Sequence, residues 1–436
     1  MTLRLLAFSA LGAFAANTAG SAPTFHKNIE GILQRNCQNC HRPGEAAPMS
    51  FLDYKSVRPW AKAIKSAVLS KKMPPWFADD SGVKFHNDRR LAQADIDAIV
   101  RWVDAGAPQG NPKDAPKPLT FTEGWSIPKP DVVFRVPKPY TVPAEGVVDY
   151  QHIVVPTNFT EDKWVQFAEA RPGNRAVTHH IVVYIREPDS AYYADEPKNE
   201  WIVPRKRGEA RSGEGAPRRA GSATPTELFV GYAPGMPPVE LQPGQGRLIK
   251  AGSDLVFQLH YTPNGKETVD TSELGLVFSR VPVTERVMTQ VAMNVGFVIP
   301  PHAANHEVRS SYLVNVPGRI IDFNPHMHVR GKDYEYKIVY PDGREQIALR
   351  VKYDFNWQLY YKPATPIEVV PGTRIEGLAH FDNSANNPAN PDPTKEVRFG
   401  PQTWEEMMNG WFSLAFDAKL DPAELVKRKR PAPTGL

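Results

Sequence analysis

The stretch 320–340, IIDFNPHMHVRGKDYEYKIVY, sets two β-type runs, 319–323 and 334–340, on either side of a His-x-His pair. Alternate residues of a strand share a face. His326 and His328 would therefore point the same way and could share one metal ion. The same texture continues outward in both directions. Runs rich in β-branched and aromatic residues recur at 132–136, 164–170, 180–185, 255–261, 273–278, 374–381 and 411–416, between Gly, Pro and Asn punctuation. This is antiparallel sandwich material, so the expected class is mainly β. Proline agrees: 43 of 436 residues is about twice the usual share of roughly 5%.

The length suggests about three domains. Lys+Arg 52 against Asp+Glu 48 gives a net charge of +4, too weak to argue for nucleic acid as a partner. Hydrophobic residues at 41% and charged residues at 23% fit a chain that buries a core. They exclude a wholly disordered chain and a polytopic membrane protein.

Residues 1–22 read as a signal peptide. Arg4 opens it, an apolar run extends from Leu5 to Ala16, and small residues follow at Ala19, Gly20, Ser21 and Ala22. The run falls short of the roughly 20 residues that span a bilayer, so no stable membrane span is expected. The expected location is periplasmic or secreted. Residues 23–110 show helical periodicity in three stretches, around Phe25–Leu33, Tyr54–Ser70 and Leu91–Ala105. Residues 111–130 form a proline-rich linker. Within the β-type region, 186–226 is a long polar insertion read as a surface loop. Residues 421–436 make a basic tail.

Only two cysteines occur, in Cys37-Gln38-Asn39-Cys40-His41. The C-x-x-C-H order is that of covalent c-type haem attachment: two thiols add to the vinyl groups, and the next residue offers an imidazole to the iron. The second axial ligand should be a thioether or another histidine. Met73, in Lys72-Met73-Pro74-Pro75-Trp76, resembles the axial methionine loop of class I cytochromes c. Met49 and His86 remain as alternatives. Met/His ligation leaves the iron no open position and implies one-electron transfer.

The other histidines cluster by type. His179-His180 sits in AVTHHIVVYI, His260 in LVFQLHYTPNG, and His326 with His328 in FNPHMHVRGKD. Adjacent histidines on a strand face opposite ways, so His179 and His180 need a bulge or a strand end to converge. His380 is expected to be a satisfied core histidine.

These segments carry a family resemblance. Residues 131–420 resemble the copper type II, ascorbate-dependent monooxygenases, the family of peptidylglycine α-hydroxylating and dopamine β-monooxygenases. The resemblance lies in 229–261 around His260, in IIDFNPHMHVRGKDYEYKI, and in TWEEMMNGWFSLAF. It implies two antiparallel β-sandwich, jelly-roll-like domains, 131–283 and 284–420, with one copper on each. His179, His180 and His260 would hold the electron-accepting copper. His326, His328 and Met407 would hold the oxygen-activating, catalytic one, with Met408 adjacent to Met407. Asn324, Asn409 and Trp411 fall at positions that face substrate. Asn324 stands where the peptide-amidating enzyme has an arginine, and Trp411 where it has a tyrosine. A C-terminal glycine peptide is therefore a poor candidate substrate.

The combination implies an oxidoreductase acting on a small organic substrate with O2. Electrons would come from a periplasmic donor, or from ascorbate, through the haem to the first copper and then the second. The alternative is a non-catalytic electron-transfer or copper-handling protein.

Overall fold

The computed structural model describes residues 22–45, 47–121, 124–204 and 227–426. Nearly all of the expected signal peptide, the central part of the polar insertion and most of the basic tail lie outside the described residues. The chain falls into two compact units. One comprises 22–43, 49–74 and 91–119. The other comprises 44–48, 75–90 and 120–426.

The first unit is helical. Phe25–Ile29 opens as a π-type turn and runs into the α-helix Glu30–Asn36. The second helical stretch is interrupted. Tyr54–Val57 is α, Arg58–Trp60 is 3-10, and Ala61–Leu69 is α again. Pro59 sits within the 3-10 turn and lacks the N–H that a continuous α-helix would need. Asp53 caps the start, its carboxylate accepting the Ser56 N–H. The third helix is Gln93–Asp104, and Gly106 follows it with φ +86°. Phe25, Ile29, Leu33, Val57, Ile99 and Trp102 meet in one core. Burying a side chain of this kind contributes about 1.5–3 kcal/mol.

The second unit is mainly β, and every β-type run of the sequence appears in it as a strand. Its largest sheet has nine strands and is continuous across both halves of the region. Val132–Arg135, Glu273–Phe278, Lys163–Arg171 and Gln245–Ile249 make one half, together with the short Val239–Glu240, which also pairs with Lys163–Arg171. Glu285–Asn294, Met408–Asp417, Gly318–His326 and Ile367–Val369 make the other. The halves join where Glu285 and Arg286 pair in parallel with Gln245 and Gly246. A five-stranded sheet, including Gln151–Pro156, Asp254–Tyr261 and Thr178–Arg186, shares one core with the first half. A four-stranded sheet, including His306–Leu313, Arg374–Phe381 and Gly331–Val339, shares a second core with the other half. No helix among the described residues is long and apolar enough to cross a membrane.

Two segments depart from expectation. Residues 75–90 had helical-domain neighbours on both sides in the sequence, yet they belong to the β unit. Phe77 and Asp79 exchange backbone hydrogen bonds with Lys352 and Arg350, and His86 and Lys84 with Lys362 and Ala364. Trp76 and Ala78 enter the second β core. The segment carries aromatic residues with no 3.6-residue period, so pairing with a sheet edge is its best outlet. The first part of the polar insertion is also built into the fold. Trp201–Ile202 pairs with the strand Gln151–Pro156, and the buried Arg186 guanidinium bridges to Asp254.

Candidate metal centre

In the helical unit the C-x-x-C-H segment forms a turn at the end of its helix. The Cys37 carbonyl accepts the N–H groups of Cys40 and His41. No disulfide joins Cys37 and Cys40, and burial, then the neighbouring Cys40, pushes the Cys37 thiol up to about 12. His41 Nδ1 lies 3.3 Å from the Met49 carbonyl. A carbonyl only accepts, so Nδ1 carries the proton and Nε2 keeps its lone pair for a metal. Phe51 stacks on the imidazole at 4.1 Å. These residues fit a covalent haem with His41 as one axial ligand. Met49 offers its carbonyl to Nδ1 and packs, partly buried, against the helical core, and Met73 is half-buried in the same unit; either thioether would supply a second ligand to the iron. His86 is carried on the segment that joins the β unit.

In the β unit, one bulge builds the first histidine cluster. His180 pairs directly with His260, whereas the next residue, Tyr261, pairs with Thr178. His179 is therefore the extra residue, and the register shift turns both neighbours toward one focus. His179, His180 and His260 each offer a ring nitrogen within 4.8 Å of the others. The Nδ1 atoms of His179 and His180 are 3.1 Å apart, and His260 Nδ1 is buried without a hydrogen-bond partner. Tyr150 packs edge-on against His180 and His260. Burial, then the neighbouring His179, drives the His260 imidazole down to about 3; burial lowers His179 and His180 too. Three neutral imidazoles with converging lone pairs fit a borderline metal ion.

The second set lies at the end of the strand Gly318–His326. His326 is its last residue and His328 follows just beyond, their rings 5.3 Å apart and nearly perpendicular. Gln358 fixes His326. Its Nε2 donates to the Phe355 carbonyl and the Tyr353 hydroxyl, so its Oε1 must be the atom 3.0 Å from His326 Nδ1. His328 Nδ1 lies 3.2 Å from the Glu405 carbonyl. Both rings are thus protonated at Nδ1 and keep Nε2 for a ligand. Burial pushes His328 down to about 3 and lowers His326.

Met407 immediately precedes the strand Met408–Asp417. His326 lies opposite Asn409, and Asn409 Nδ2 is 3.4 Å from Met407 Sδ. Met408, one residue on, is fully buried in the β core. Glu406 ties the two segments together, its carboxylate accepting the N–H groups of His328 and Arg330; burial raises it to about 8. Asn324 pairs with Trp411 on the same face, but its amide donates to the Leu359 carbonyl. Asn409 Oδ1 is buried without a partner. Asp322 follows on that face, beside a cavity of about 760 Å³ that Phe229, Arg247, Tyr360 and Lys362 help to line.

The two histidine groups are neighbours. The Phe355 ring stacks on His179 at 5.5 Å and meets His328 edge-on at 6.2 Å. Sequence reasoning had no signal for Phe355, Gln358, Tyr150 or Glu406, because each acts through a contact distant in the chain. His380 bonds to Asp333 at 2.6 Å and takes no part.

No family model and no curated protein matches the chain. Among solved structures, the infectious bursal disease virus VP2 subviral particle aligns at 10% identity over 70% of this chain and 76% of that one, with a TM-score of 0.17. The Gx strain of infectious bursal disease virus aligns at 8% over 67% and 74%, with a TM-score of 0.15. Likenesses this low carry no argument about fold or function.

Proposed function

We propose that this chain is an exported, haem- and copper-dependent monooxygenase. In this reading a cytochrome c-like domain precedes two antiparallel β-sandwich copper domains, and the C–H bond of a small organic substrate is hydroxylated with O2. Electrons come one at a time from an external donor through the helical unit. The observation that carries the reading is the nature of the donors: three converging imidazoles of which His179 stacks on Phe355, and two imidazoles protonated at Nδ1 of which His328 meets the same ring, with the Met407 thioether beside Asn409, the residue opposite His326. Imidazole suits both oxidation states of copper and thioether favours the reduced one, so copper bound there supplies one-electron storage at the first set and O2 activation at the second. Haem on Cys37, Cys40 and His41 would supply one-electron transfer.

The chain's own residues do the remaining work. Gln358 and the Glu405 carbonyl hold the His326 and His328 rings with their protons at Nδ1. Glu406 locks the Met407 segment to the His328 segment. Asn409, with Oδ1 unpaired, offers an acceptor to a substrate O–H or N–H beside the site.

The test is metal and haem quantification on the exported protein, followed by product analysis under labelled O2. Two copper ions, one covalent haem and oxygen label in a hydroxylated product are expected. Full loading with electron transfer but no labelled product from any C–H substrate would favour the copper-handling or electron-transfer alternative.

A further inference from the structure

The segment Pro75–Arg90 straps the β unit, and its last turns hold a lysine in place. Asn87 Nδ2 donates to the Tyr360 carbonyl at 2.8 Å, and Asn87 Oδ1 accepts the Lys362 N–H at 2.9 Å. The Lys362 carbonyl accepts the His86 N–H at 3.0 Å. Both backbone groups of Lys362 are thus fixed by the strap. Lys362 is half-buried, and its ammonium makes no hydrogen bond or ion pair with any described residue. It borders a cavity of about 760 Å³, within the usual size range of small-molecule sites.

Acidic and basic side chains both line this cavity, but they are not equally free. Arg319 bonds to both oxygens of Glu285, and Glu240 is exposed to solvent. Arg247 is 4% exposed and shares Glu227 with Arg286, at 3.6 and 3.5 Å, so two guanidinium groups face one carboxyl. Its Nη1 donates to the Leu228 and Phe229 carbonyls and to the Thr289 hydroxyl, while its Nε has no partner. Asp322 accepts the Ser413 N–H at 3.1 Å. Burial raises its carboxyl, against the pull of Ser413, Arg247 and Lys362, which weakens it as an anion. The balance is a surplus of positive charge around the Lys362 ammonium. Charge in an enclosed space is costly unless a counter-charge joins it. Much of the remaining lining is apolar, with Phe167, Phe229, Leu241 and Ile321 among it.

These features select a ligand class. One unpaired ammonium calls for one negative charge. A phosphate dianion would bring a second charge up to Asp322 and Glu285 with no unpaired ammonium left to meet it. The apolar lining calls for an apolar body. We propose that the cavity binds a small monocarboxylate with an apolar body, its carboxylate on the Lys362 ammonium and its body against Phe229 and Ile321. Binding is reversible and breaks no bond. The site uses neither cysteine, none of the clustered histidines and not Met407, so it stands or falls independently of the proposed function.

The test is calorimetric titration of the full chain with 3-phenylpropanoate. One equivalent should bind, with Kd of about 1 mM or below. 3-Phenylpropanamide has the same shape without the charge and should bind about tenfold more weakly, as expected for the loss of a charge-assisted hydrogen bond. K362M keeps an apolar stem without the ammonium and should weaken the acid by the same factor. K362R restores a positive charge and should recover most of the affinity. D322N removes the carboxylate beside Lys362 and should bind the acid at least as tightly as the native chain. Undiminished affinity in K362M overturns the proposal, as does equal binding of acid and amide, or no saturation by the acid. Equal weakening in K362M and K362R would mean that Lys362 only shapes the wall, and overturns it too. Tighter binding of inorganic phosphate or of 2-phenylethylamine than of the acid would mark a site for a different charge, with the same consequence.

Discussion

The Nδ1 nitrogens of His179 and His180 face each other across 3.1 Å. At most one of them can carry a proton toward the other, and the third ring, His260, keeps a buried Nδ1 with no partner. A cation shared by the three would remove this conflict. Copper should therefore raise the thermal stability of the folded chain, by about 2.7 kcal/mol at a free concentration one hundred times Kd. H260A should bind one copper fewer and lose part of that gain. Calorimetry with and without copper checks this, and an H260A chain with undiminished copper content would exclude the cluster as a site.

Gln358 orients His326 from outside any coordination sphere. Q358L keeps similar bulk but removes the acceptor for Nδ1–H, leaving the ring free to turn. Affinity at the His326, His328 and Met407 set should fall about 10–100-fold, as when other outer partners of metal-bound histidine are lost. The His179 cluster should keep its affinity. Competitive copper titration separates the two, and equal affinity in Q358L and the native chain would refute this role.

The adjacent methionines should behave oppositely. Met408 is fully buried among apolar neighbours, so M408L is a near volume-conserving swap costing under about 1.5 kcal/mol, with no change at the metal. Met407 is only partly buried, with its sulfur beside Asn409. M407L should leave stability nearly unchanged but remove a sulfur scatterer from the X-ray absorption of the cuprous form. A sulfur signal that survives M407L and vanishes in M408L would reverse the assignment.

How far the sequence could be read depends on the range of the interactions. The period-two runs and the spacing of His326 and His328 are local, and the strands follow them. The need for a bulge at His179 was legible too, because adjacent strand residues point apart; which strand would supply the register shift was not. That depended on His260 meeting His180 from some eighty residues away. The strap was illegible for the same reason. Nothing in Pro75–Arg90 itself says that its edge partners are Arg350, Lys352 and Lys362. The short parallel pairing at Glu285 and Arg286 that makes one large sheet was likewise illegible, because Gln245 and Gly246 lie some forty residues away.

That joint carries a buried charge whose titration should be measurable. Glu227 is almost wholly enclosed, with Arg247 and Arg286 at 3.6 and 3.5 Å, and Arg247 also donates to Thr289 in the adjoining half. Burial raises the Glu227 carboxyl to about 7 from an ordinary 4.5, against the pull of the two arginines. The raised value means that the folded state holds a proton the unfolded state has already lost. Stability from this group is therefore complete below about pH 4.5, falls as pH rises to about 7, and stays low above it. The loss amounts to about 3 kcal/mol. E227Q cannot ionise and should not show it. Urea unfolding at pH 5 and pH 8 makes the comparison, and other titrating groups cancel in the difference between the two proteins. The native chain should lose about 2.5 kcal/mol more than E227Q between those pH values. Equal losses would mean that the arginines keep Glu227 ionised throughout, and that the joint is held by a full ion triad rather than by a carboxyl that charges only above neutrality.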